Sequence, residues 1–358
     1  MTEDLDGLPA PRQDRLVGGF SEHGLDAVVL GGGELVGWLT GYERYLGGPY
    51  ALLVDRERKR TLLVPAYEEE VATGSAGVDA VVPFADRTLG MNLDLAGALS
   101  RRLREVVPAG ALGAAGDVAG LLEGAQDVSQ LVHDIRLRKD AEEVAAISEH
   151  FALALLGQRA VAEAAAPGVR EIDLFSLAHS APQSRAGRPL GFVSDLVSGP
   201  RAGAAFGPVN VASDRELEDG DALVADVLVG TAFWGDSART TLIGDPPPQL
   251  REARDHIQAV LDGVASRLIP GTGCSEVYEW VRAEIAQRLP GWEFPHHAGH
   301  GVGASAFEDP HLIPADPTEL ETGMVLAVEP GAYLPGRYGV RIEDMFVVGQ
   351  SGGIRLSD

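Results

Sequence analysis

Residues 324–349 read MVLAVEPGAYLPGRYGVRIEDMFVVG, and the two apolar runs in this stretch predict strands at 324–330 and 338–349. Each run carries a glutamate, Glu329 in the first and Glu343 in the second. Side chains alternate between the two faces of a strand, so Glu329 shares a face with the apolar residues two and four positions before it. Burial of an isolated charge is costly. The stretch therefore predicts a sheet that holds carboxylates on an apolar face, where they need a partner.

Two aspartates lie in a similar setting earlier in the chain. Asp226 interrupts the apolar run LVADVLVG, and Asp236 follows it in WGDSARTT. Each carboxylate has a local alternative: Asp226 could bond a backbone amide at a strand end, and Arg239 could neutralise Asp236. Arg341 and Glu343 share a strand face and could belong to a cross-strand salt bridge. Taken together, however, four carboxylates on or beside apolar strands would repel one another strongly unless they are protonated or neutralised.

Histidines cluster in the glycine-rich segment FPHHAGHGVG, residues 294–303. Four of the nine histidines of the chain lie between residues 296 and 311, and glycines flank His300 on both sides, which lets backbone approach a bound group. A polar surface loop is the alternative interpretation. Four carboxylates and one imidazole form a mixed oxygen and nitrogen ligand set, which suits Mn, Co, Zn or Fe. Two such ions about 3.5–4 Å apart, bridged by shared carboxylates, would make a hydrolytic centre.

The order of predicted elements divides the chain into two domains, residues 1–138 and residues 139–358. The second domain opens with Asp140, and Glu143 follows three positions later. This pair predicts a capped helix that continues through an alanine-rich run to about Ala166.

The two domains differ in their predicted elements. In the first, LDAVVL, LVGWLTGY, ALLVD and TLLVP predict strands and connecting loops between residues 25 and 64, and residues 93–107 predict a helix, so the domain is mixed α/β. The second is predicted to contain helices at 249–268 and 274–288 and further strands at 221–230 and 238–244. Because several of its strands are adjacent in sequence and hairpin-like, we expect α+β architecture rather than a doubly wound sheet.

Composition narrows the function classes. The 358 residues are 45% hydrophobic and 23% charged, and 29 Lys and Arg face 53 Asp and Glu, a formal net charge of −24. This charge argues against binding to nucleic acid or to anionic membranes, since both require clustered cations. No apolar run approaches the roughly 18 residues that span a bilayer. The polar, acidic start and the one cysteine, Cys274, which excludes an internal disulfide, lead us to expect a cytoplasmic enzyme.

The order and local context of five residues resemble those of the pita-bread metallopeptidases, a family that includes methionine aminopeptidases, aminopeptidase P and prolidase. The metal ligands of that family follow the order Asp, Asp, His, Glu, Glu. The matching positions in VADVLVG, GDSART, GHGVG, VEPG and GVRIED are Asp226, Asp236, His300, Glu329 and Glu343. The resemblance implies that these residues bind two divalent metal ions, with Mn expected ahead of Co, Zn or Fe.

Other motifs resemble the proline-directed branch of the family, prolidase and aminopeptidase P. They are EPGAY, GVRIED, SGP at 198–200, and RLRKDAEE before the long helix. WLTGY at 38–42 resembles the N-terminal domain of creatinase and prolidase. The resemblance covers nearly the whole chain and implies a C-terminal pita-bread domain preceded by a smaller α/β domain, within the α+β class. It also implies a homodimer.

The implied activity is metal-dependent hydrolysis of Xaa-Pro peptide bonds in small peptides, by a dipeptidase or an aminopeptidase. By resemblance, Glu329 takes the proton of the attacking water and His296 contacts the substrate. Arg341 would orient Glu343 or bind a substrate carboxylate as a bidentate donor. Arg44, in the loop WLTGYERYLGG, is a further candidate to bind the carboxylate of a dipeptide, and a solvent-facing ion pair is its alternative role.

Three departures from the family pattern bear on activity. Asp226 and Asp236 are ten residues apart, one fewer than is usual in the family. Phe206 and Phe307 occupy positions where the family has substrate-site histidines, which predicts an apolar pocket that packs on a proline ring, slower chemistry, or loss of activity. His311, four residues after Phe307, is a candidate replacement donor. The alternatives to a peptidase are a metal-binding pseudo-peptidase and a hydrolase of a non-peptide C–N bond.

Overall fold

The computed structural model describes residues 7–43, 48–75, 77–85, 94–205 and 210–356. The chain divides into two compact units, of which one spans Pro9–Arg136 and the other comprises Leu137–Asp358 together with Met1–Leu8. Within the described ranges, no helix combines the length and the apolar character that a membrane crossing requires.

The first unit is built on one mixed sheet. Its described elements are α1 (Arg12–His23), β1 (Ala27–Gly31), α2 (Gly33–Thr40), β2 (Ala51–Asp55), β3 (Arg60–Pro65), α3 (Glu69–Ser75), β4 (Ala80–Phe84), α4 (Leu95–Val106), β5 (Leu112–Ala115), β6 (Gln126–Asp127) and α5 (Ser129–Leu137). The strand order is β4-β3-β2-β1-β5-β6, with β1 antiparallel to β2 and parallel to β5. Every residue of β1 is buried, which explains its unbroken apolar sequence. The strands predicted from LDAVVL, ALLVD and TLLVP are confirmed, as is the helix predicted at 93–107.

One segment of the first unit differs from its prediction. LVGWLTGY, expected to form strand and loop, lies largely in the helix α2. Its residues from Val36 to Thr40 are all buried, and so short a buried run has no period that separates a strand from a helix. The end of the helix is set by Gly41, which has a left-handed φ of 68° and donates its N–H to the carbonyl of Gly37.

The second unit contains the remaining elements. They are α6 (Ala141–Ala164), α7 (Glu171–Ala186), β7 (Gly191–Ser198), β8 (Ala222–Gly230), β9 (Trp234–Leu242), α8 (Pro248–Val264), α9 (Cys274–Arg288), β10 (Gly299–Gly301), β11 (Glu308–His311), β12 (Val325–Val328), β13 (Gly331–Leu334), β14 (Tyr338–Arg341), β15 (Asp344–Val348) and β16 (Gly353–Arg355). The strands form sheets of order β7-β8-β9, β11-β10-β12-β15-β16 and β13-β14. The helices predicted at 249–268 and 274–288 correspond to α8 and α9.

The long helix α6 supports one face of the β8-β9 hairpin. Its start is the predicted capping box, in which the Asp140 side chain accepts from the Glu143 N–H and the Glu143 side chain accepts from the Asp140 N–H, each at 2.9 Å. Gln158 donates from its Nε2 to the carbonyls of Ala225 and Ser237, which ties the helix to both strands. Odd-numbered residues of β8 pack in the core that α6 contributes to, so the even-numbered residues face the opposite side.

Residues 338–349 form two strands rather than the one predicted. β14 pairs with β13 whereas β15 pairs with β12, so the two strands belong to different sheets. At the break, the N–H of Glu343 donates to the carbonyl of Ala238 in β9, at 2.9 Å. The break therefore attaches Glu343 to the hairpin that carries the two aspartates.

The excess of acidic residues makes the stability of the fold depend on salt. A net charge of −24 gives a folded chain that repels itself. Because the Debye length falls from about 10 Å at 0.1 M to about 3 Å at 1 M salt, we expect the Tm to rise over this range of KCl, as measured by calorimetry. A Tm that falls with added KCl would mean that exposed ion pairs outweigh the repulsion.

Candidate metal centre

The β8-β9 hairpin brings Asp226 and Asp236 together. Asp226 is opposite Ala238, and Asp236 is opposite Leu228, so the two aspartates are diagonal neighbours in the antiparallel register. Side chains of diagonal neighbours project from the same face of a sheet, so both carboxylates lie on one side of the hairpin. A spacing of ten residues is thus compatible with one shared site.

His300 enters the same space from β10. It lies opposite Ala327 of β12, and a Cβ on the preceding Gly299 would lie 2.1 Å from the carbonyl oxygen of Ala327. Glycine therefore permits this close approach of the two strands. The His300 ring is buried, with its Nε2 3.6 Å from Asp236 Oδ2 and 3.8 Å from Glu329 Oε1.

Glu329 and Glu343 are anchored through their own backbones. The N–H of Glu329, just after β12, donates to the carbonyl of Ala298 at 3.0 Å, and the N–H of Glu343 donates to Ala238 in β9. Both side chains are buried. The backbone of each glutamate is therefore hydrogen-bonded to a different neighbouring segment, and both side chains reach the cavity that contains the aspartates.

The five side chains of the predicted ligand set line one cavity of about 260 Å³. The other residues that line it are Asp195, His296, His297, Phe307 and Arg341. The cavity contains two groups of three residues, and within each group the possible ligand atoms lie within 4.8 Å of one another. One group is Asp236, His300 and Glu343, and the other is His296, His297 and Glu329. Residues far apart in the sequence thus meet at distances at which they could share a bound ion.

Phe307 lies at the cavity as well. Its ring centroid is 4.4 Å from that of His300, and 55% of the residue is exposed, so an apolar face is presented beside the histidine. The other two residues that the sequence suggested for substrate binding, Arg44 and Phe206, lie outside the described residues.

Burial drives most of the carboxyl groups toward their neutral forms. It raises the pKa of Asp226 to about 6, and together with the charges of Asp226 and Glu329 it raises the pKa of Asp236 well above its usual range. Burial and the charge of Asp236 also raise the pKa of Glu343. Glu329 differs, because the effect of burial is outweighed by the hydrogen bond and charge of His297, which lower its pKa. All four carboxylates can be ionised together only if cations neutralise them.

The unsatisfied atoms in the cavity fit divalent ions. Asp226 Oδ1, Asp236 Oδ1 and Glu343 Oε2 are buried without a hydrogen-bond partner among the described residues, which is uncommon for buried polar atoms. Burial lowers the pKa of His300 to about 4, so its ring is neutral, and its Nδ1–H donates to the carbonyl of Gly301 at 2.9 Å. The Nε2 lone pair therefore faces carboxylate oxygens, and a cation between them could bind both.

His296 is held by protein partners on both ring nitrogens. Its Nδ1 donates to the carbonyl of His297 at 2.7 Å, and its Nε2 lies 3.0 Å from the Tyr333 hydroxyl. Burial lowers the pKa of His296 to about 4, so the ring is neutral and Nε2 accepts from the hydroxyl. A direct contact of His296 with substrate would have to replace the hydrogen bond from Tyr333.

The two arginines near the site have partners other than those the sequence suggested. Arg341 donates from Nη2 to Asp226 Oδ2 at 2.6 Å, rather than to the glutamate two positions after it. Arg239 pairs with Asp344 and not with Asp236, so the local neutralisation considered for Asp236 is wrong. Since β9 directs alternate side chains to opposite faces, Arg239 points away from the aspartate three positions before it.

Two cavity residues were not singled out from the sequence. Asp195 of β7 lies directly opposite Asp226, in the run FVSDLVSG, whose serines make it a weaker signal than the run around Asp226. His297 has its Nε2 2.9 Å from Glu329 Oε1. His311, the candidate replacement donor, does not occur among the described residues that line the cavity. The sequence holds no signal for which histidine of the pair at 296–297 reaches the glutamate.

Comparison with known proteins gives two matches that together span most of the chain. Residues 144–350 match the description Metallopeptidase family M24, and residues 12–136 match the Creatinase/Prolidase N-terminal domain. An Xaa-Pro dipeptidase of Pyrococcus furiosus is 27% identical over 358 residues, which cover 97% of either chain. An uncharacterized peptidase of Bacillus subtilis is 33% identical over 229 residues, 63% of either chain.

Solved structures show the same architecture over nearly the whole chain. The prolidase from Pyrococcus horikoshii matches with a TM-score of 0.80 at 24% identity, covering 97% of this chain and 98% of that one. The prolidase from Pyrococcus furiosus matches with a TM-score of 0.78 at 26% identity, covering 96% and 99%. The predicted fold class, a C-terminal pita-bread domain after a smaller creatinase-type domain, is confirmed by these matches.

Proposed function

The chain belongs to metallopeptidase family M24, and we propose that it hydrolyses Xaa-Pro bonds in small peptides. Support comes from the dipeptidase of Pyrococcus furiosus, which carries this activity in its name and matches almost the entire chain. The observation that carries the proposal is the cavity itself, where buried carboxylates with unsatisfied oxygens surround a neutral imidazole. These relatives favour a peptidase over a pseudo-peptidase or a non-peptide C–N hydrolase.

The family implies divalent metal ions, and we propose two of them. The residues that would hold them are Asp226, Asp236, His300, Glu329 and Glu343. Because this set is rich in carboxylate oxygen and has one imidazole, we expect Mn ahead of Co, Zn or Fe. When bound, such ions lower the pKa of a water molecule and polarise the carbonyl of the scissile bond.

Glu329 is the proton acceptor in the proposed reaction. The carboxylate is ionised at neutral pH, as a proton acceptor must be. We propose that it takes a proton from the attacking water and passes it to the leaving nitrogen of proline. Arg341 contributes by its ion pair with Asp226, which compensates part of the negative charge in the cavity. We propose that His296 contacts the substrate once its hydrogen bond with the Tyr333 hydroxyl is broken.

Phe307 is proposed to pack on the proline ring of the substrate. Since its ring is half exposed beside His300, a bound proline would cover apolar surface on both partners. Replacing Phe307 with alanine should raise KM about 5-fold, equivalent to about 1 kcal/mol of lost apolar contact, with little change in kcat. Val193→Ala, which alters an exposed apolar side chain of β7 that does not line the cavity, is the matched control. An unchanged KM for Phe307→Ala would contradict the contact.

The proposed function is tested by assaying metal-reconstituted protein side by side on an Xaa-Pro dipeptide and an Xaa-Pro-Yaa tripeptide. Cleavage of the dipeptide alone identifies a dipeptidase, and cleavage of the tripeptide identifies an aminopeptidase. Metal binding without cleavage of either peptide would contradict the proposal and favour the pseudo-peptidase.

Two organisational proposals accompany the function. We propose that the join between the domains lies at residues 138–139, which is supported by the division of the chain at Leu137 and by family matches that end at 136 and resume at 144. We also propose a homodimer, as the family resemblance implies, with light scattering as its test. Arg44 stays a candidate for the substrate carboxylate, to be checked by the KM of Arg44→Ala.

A further inference from the structure

The imidazole of His297 forms a direct contact with Glu329. Its Nε2 lies 2.9 Å from Glu329 Oε1, and the side chains are 26% and 8% exposed. An ionised carboxylate can only accept, so the ring N–H is the donor of this hydrogen bond. Charge-assisted bonds of this kind are about twice as strong as neutral ones.

Each of the three neighbouring histidines has a different task. His296 donates from Nδ1 to the carbonyl of His297, which holds the backbone of that residue. His300 donates from Nδ1 to Gly301, so its Nε2 is directed at the carboxylates from 3.6 Å and more. His297 is the imidazole that hydrogen-bonds Glu329, and neither of the other two rings duplicates this bond.

The position of His297 is fixed from two directions. Its ring stacks on that of His300, with centroids 5.3 Å apart and planes 20° apart. Along the chain, the carbonyl of the next residue, Ala298, accepts from the N–H of Glu329. The backbones of His297 and Glu329 are therefore held close together by this neighbouring hydrogen bond. The side-chain hydrogen bond between them loses little additional conformational entropy when it forms.

Glu329 accepts a hydrogen bond at one oxygen and faces a positive charge at the other. Oε1 accepts from His297, while Oε2 lies 3.9 Å from Nε of Arg341 on the other side. The hydrogen bond from His297 therefore favours one orientation of the carboxylate about its terminal bond. Partners that orient a ligand in this manner typically change metal affinity or activity 10–100-fold when they are removed.

We propose that His297 is a positioning residue, whose N–H holds the Glu329 carboxylate in the orientation needed to bind metal and to accept the proton. The catalytic half of this inference rests on the proposed function. The metal-binding half does not, because it concerns only the orientation of a carboxylate in the cavity.

The test compares Mn²⁺ binding by calorimetry with steady-state kinetics on an Xaa-Pro dipeptide, for His297→Leu, His297→Gln and the wild-type protein. We expect His297→Leu to bind Mn²⁺ about 10–100-fold more weakly and to lose kcat by a similar factor, with KM changed less than about 3-fold. His297→Gln should recover part of both losses, since its amide keeps an N–H donor. His179→Gln is the matched control, because His179 is exposed on α7 and does not line the cavity.

Three results would overturn the inference: wild-type Mn²⁺ affinity and kcat in His297→Leu, equal losses in the leucine and glutamine variants, or pulsed EPR of the Mn²⁺-loaded protein showing that His297 is itself a ligand. Circular dichroism establishes that each variant is folded. If the leucine variant does not fold, the glutamine variant alone is compared with the wild-type protein. Failure of the proposed function is distinguishable, because wild-type protein that binds Mn²⁺ but cleaves no Xaa-Pro peptide leaves the affinity comparison intact.

Discussion

Replacing Glu329 with glutamine should lower kcat for an Xaa-Pro dipeptide by about 10²–10⁴-fold, because an amide cannot accept the proton of the attacking water. Glu329→Ala should abolish measurable hydrolysis and also reduce the metal content, since it removes both oxygens from the cavity. Steady-state kinetics on metal-reconstituted protein and elemental analysis of bound metal measure the two effects separately.

Glu252→Gln is the matched control for this experiment. Glu252 lies on α8 with its side chain exposed to solvent and does not line the cavity, so the same chemical change there should leave kcat and metal content unaltered. Undiminished hydrolysis by Glu329→Ala would rule out both proposed roles of the glutamate.

Removal of divalent metal should abolish hydrolysis and lower the Tm. A ligand present at 100 times its Kd stabilises the folded state by about 2.7 kcal/mol, and a chelator removes that contribution. The effect should be fully reversed by Mn²⁺, because the cation neutralises carboxylates that otherwise face one another in a buried space. Calorimetry and activity measured before and after chelation, and again after Mn²⁺ addition, test this. Unchanged activity and Tm in chelator would contradict a metal centre.

The pH dependence of the metal-free protein follows from the same buried acids. Burial raises the pKa of Asp226 from its ordinary value of 3.8 to about 6, so between these values the folded chain holds a proton that the unfolded chain has released. The contribution of Asp226 to stability is therefore complete below pH 3.8 and is lost as the pH rises through about 6. Metal binding displaces that proton, and titrations with Mn²⁺ near pH 6 in buffers of different ionisation enthalpy should reveal its release. Equal heats in both buffers would contradict the raised pKa.

Local signals in the sequence predicted the elements that depend on local contacts. The capping box of Asp140 and Glu143 marks the start of α6, since both hydrogen bonds lie within one helical turn. Residues 274–288 were predicted as a helix and form α9 with the same bounds. α7, at Glu171–Ala186, was not predicted. It contains Pro182, a residue that sequence analysis associates with helix ends.

Elements whose form depends on distant partners were predicted less well. Residues 338–349 have a continuous apolar pattern, yet they divide between two sheets because β14 pairs with β13 and β15 pairs with β12. A pattern with a period of two reports burial of a face but not the identity of the neighbouring strand. The break at Glu343 attaches that carboxylate to the β8-β9 hairpin.

The sequence by itself determined which residue types could form a metal centre and in what order they occur. Carboxylates in apolar strands and a histidine between glycines can be recognised from the sequence as unusual, because burial of an unpaired charge is costly. Only the tertiary structure decided the contacts among them: Arg341 on Asp226, Asp195 opposite the same aspartate, and His297 rather than His311 at Glu329. The reason is physical, since a side chain's partner across the cavity depends on strand register and backbone anchoring, and neither is encoded by residues adjacent in the chain.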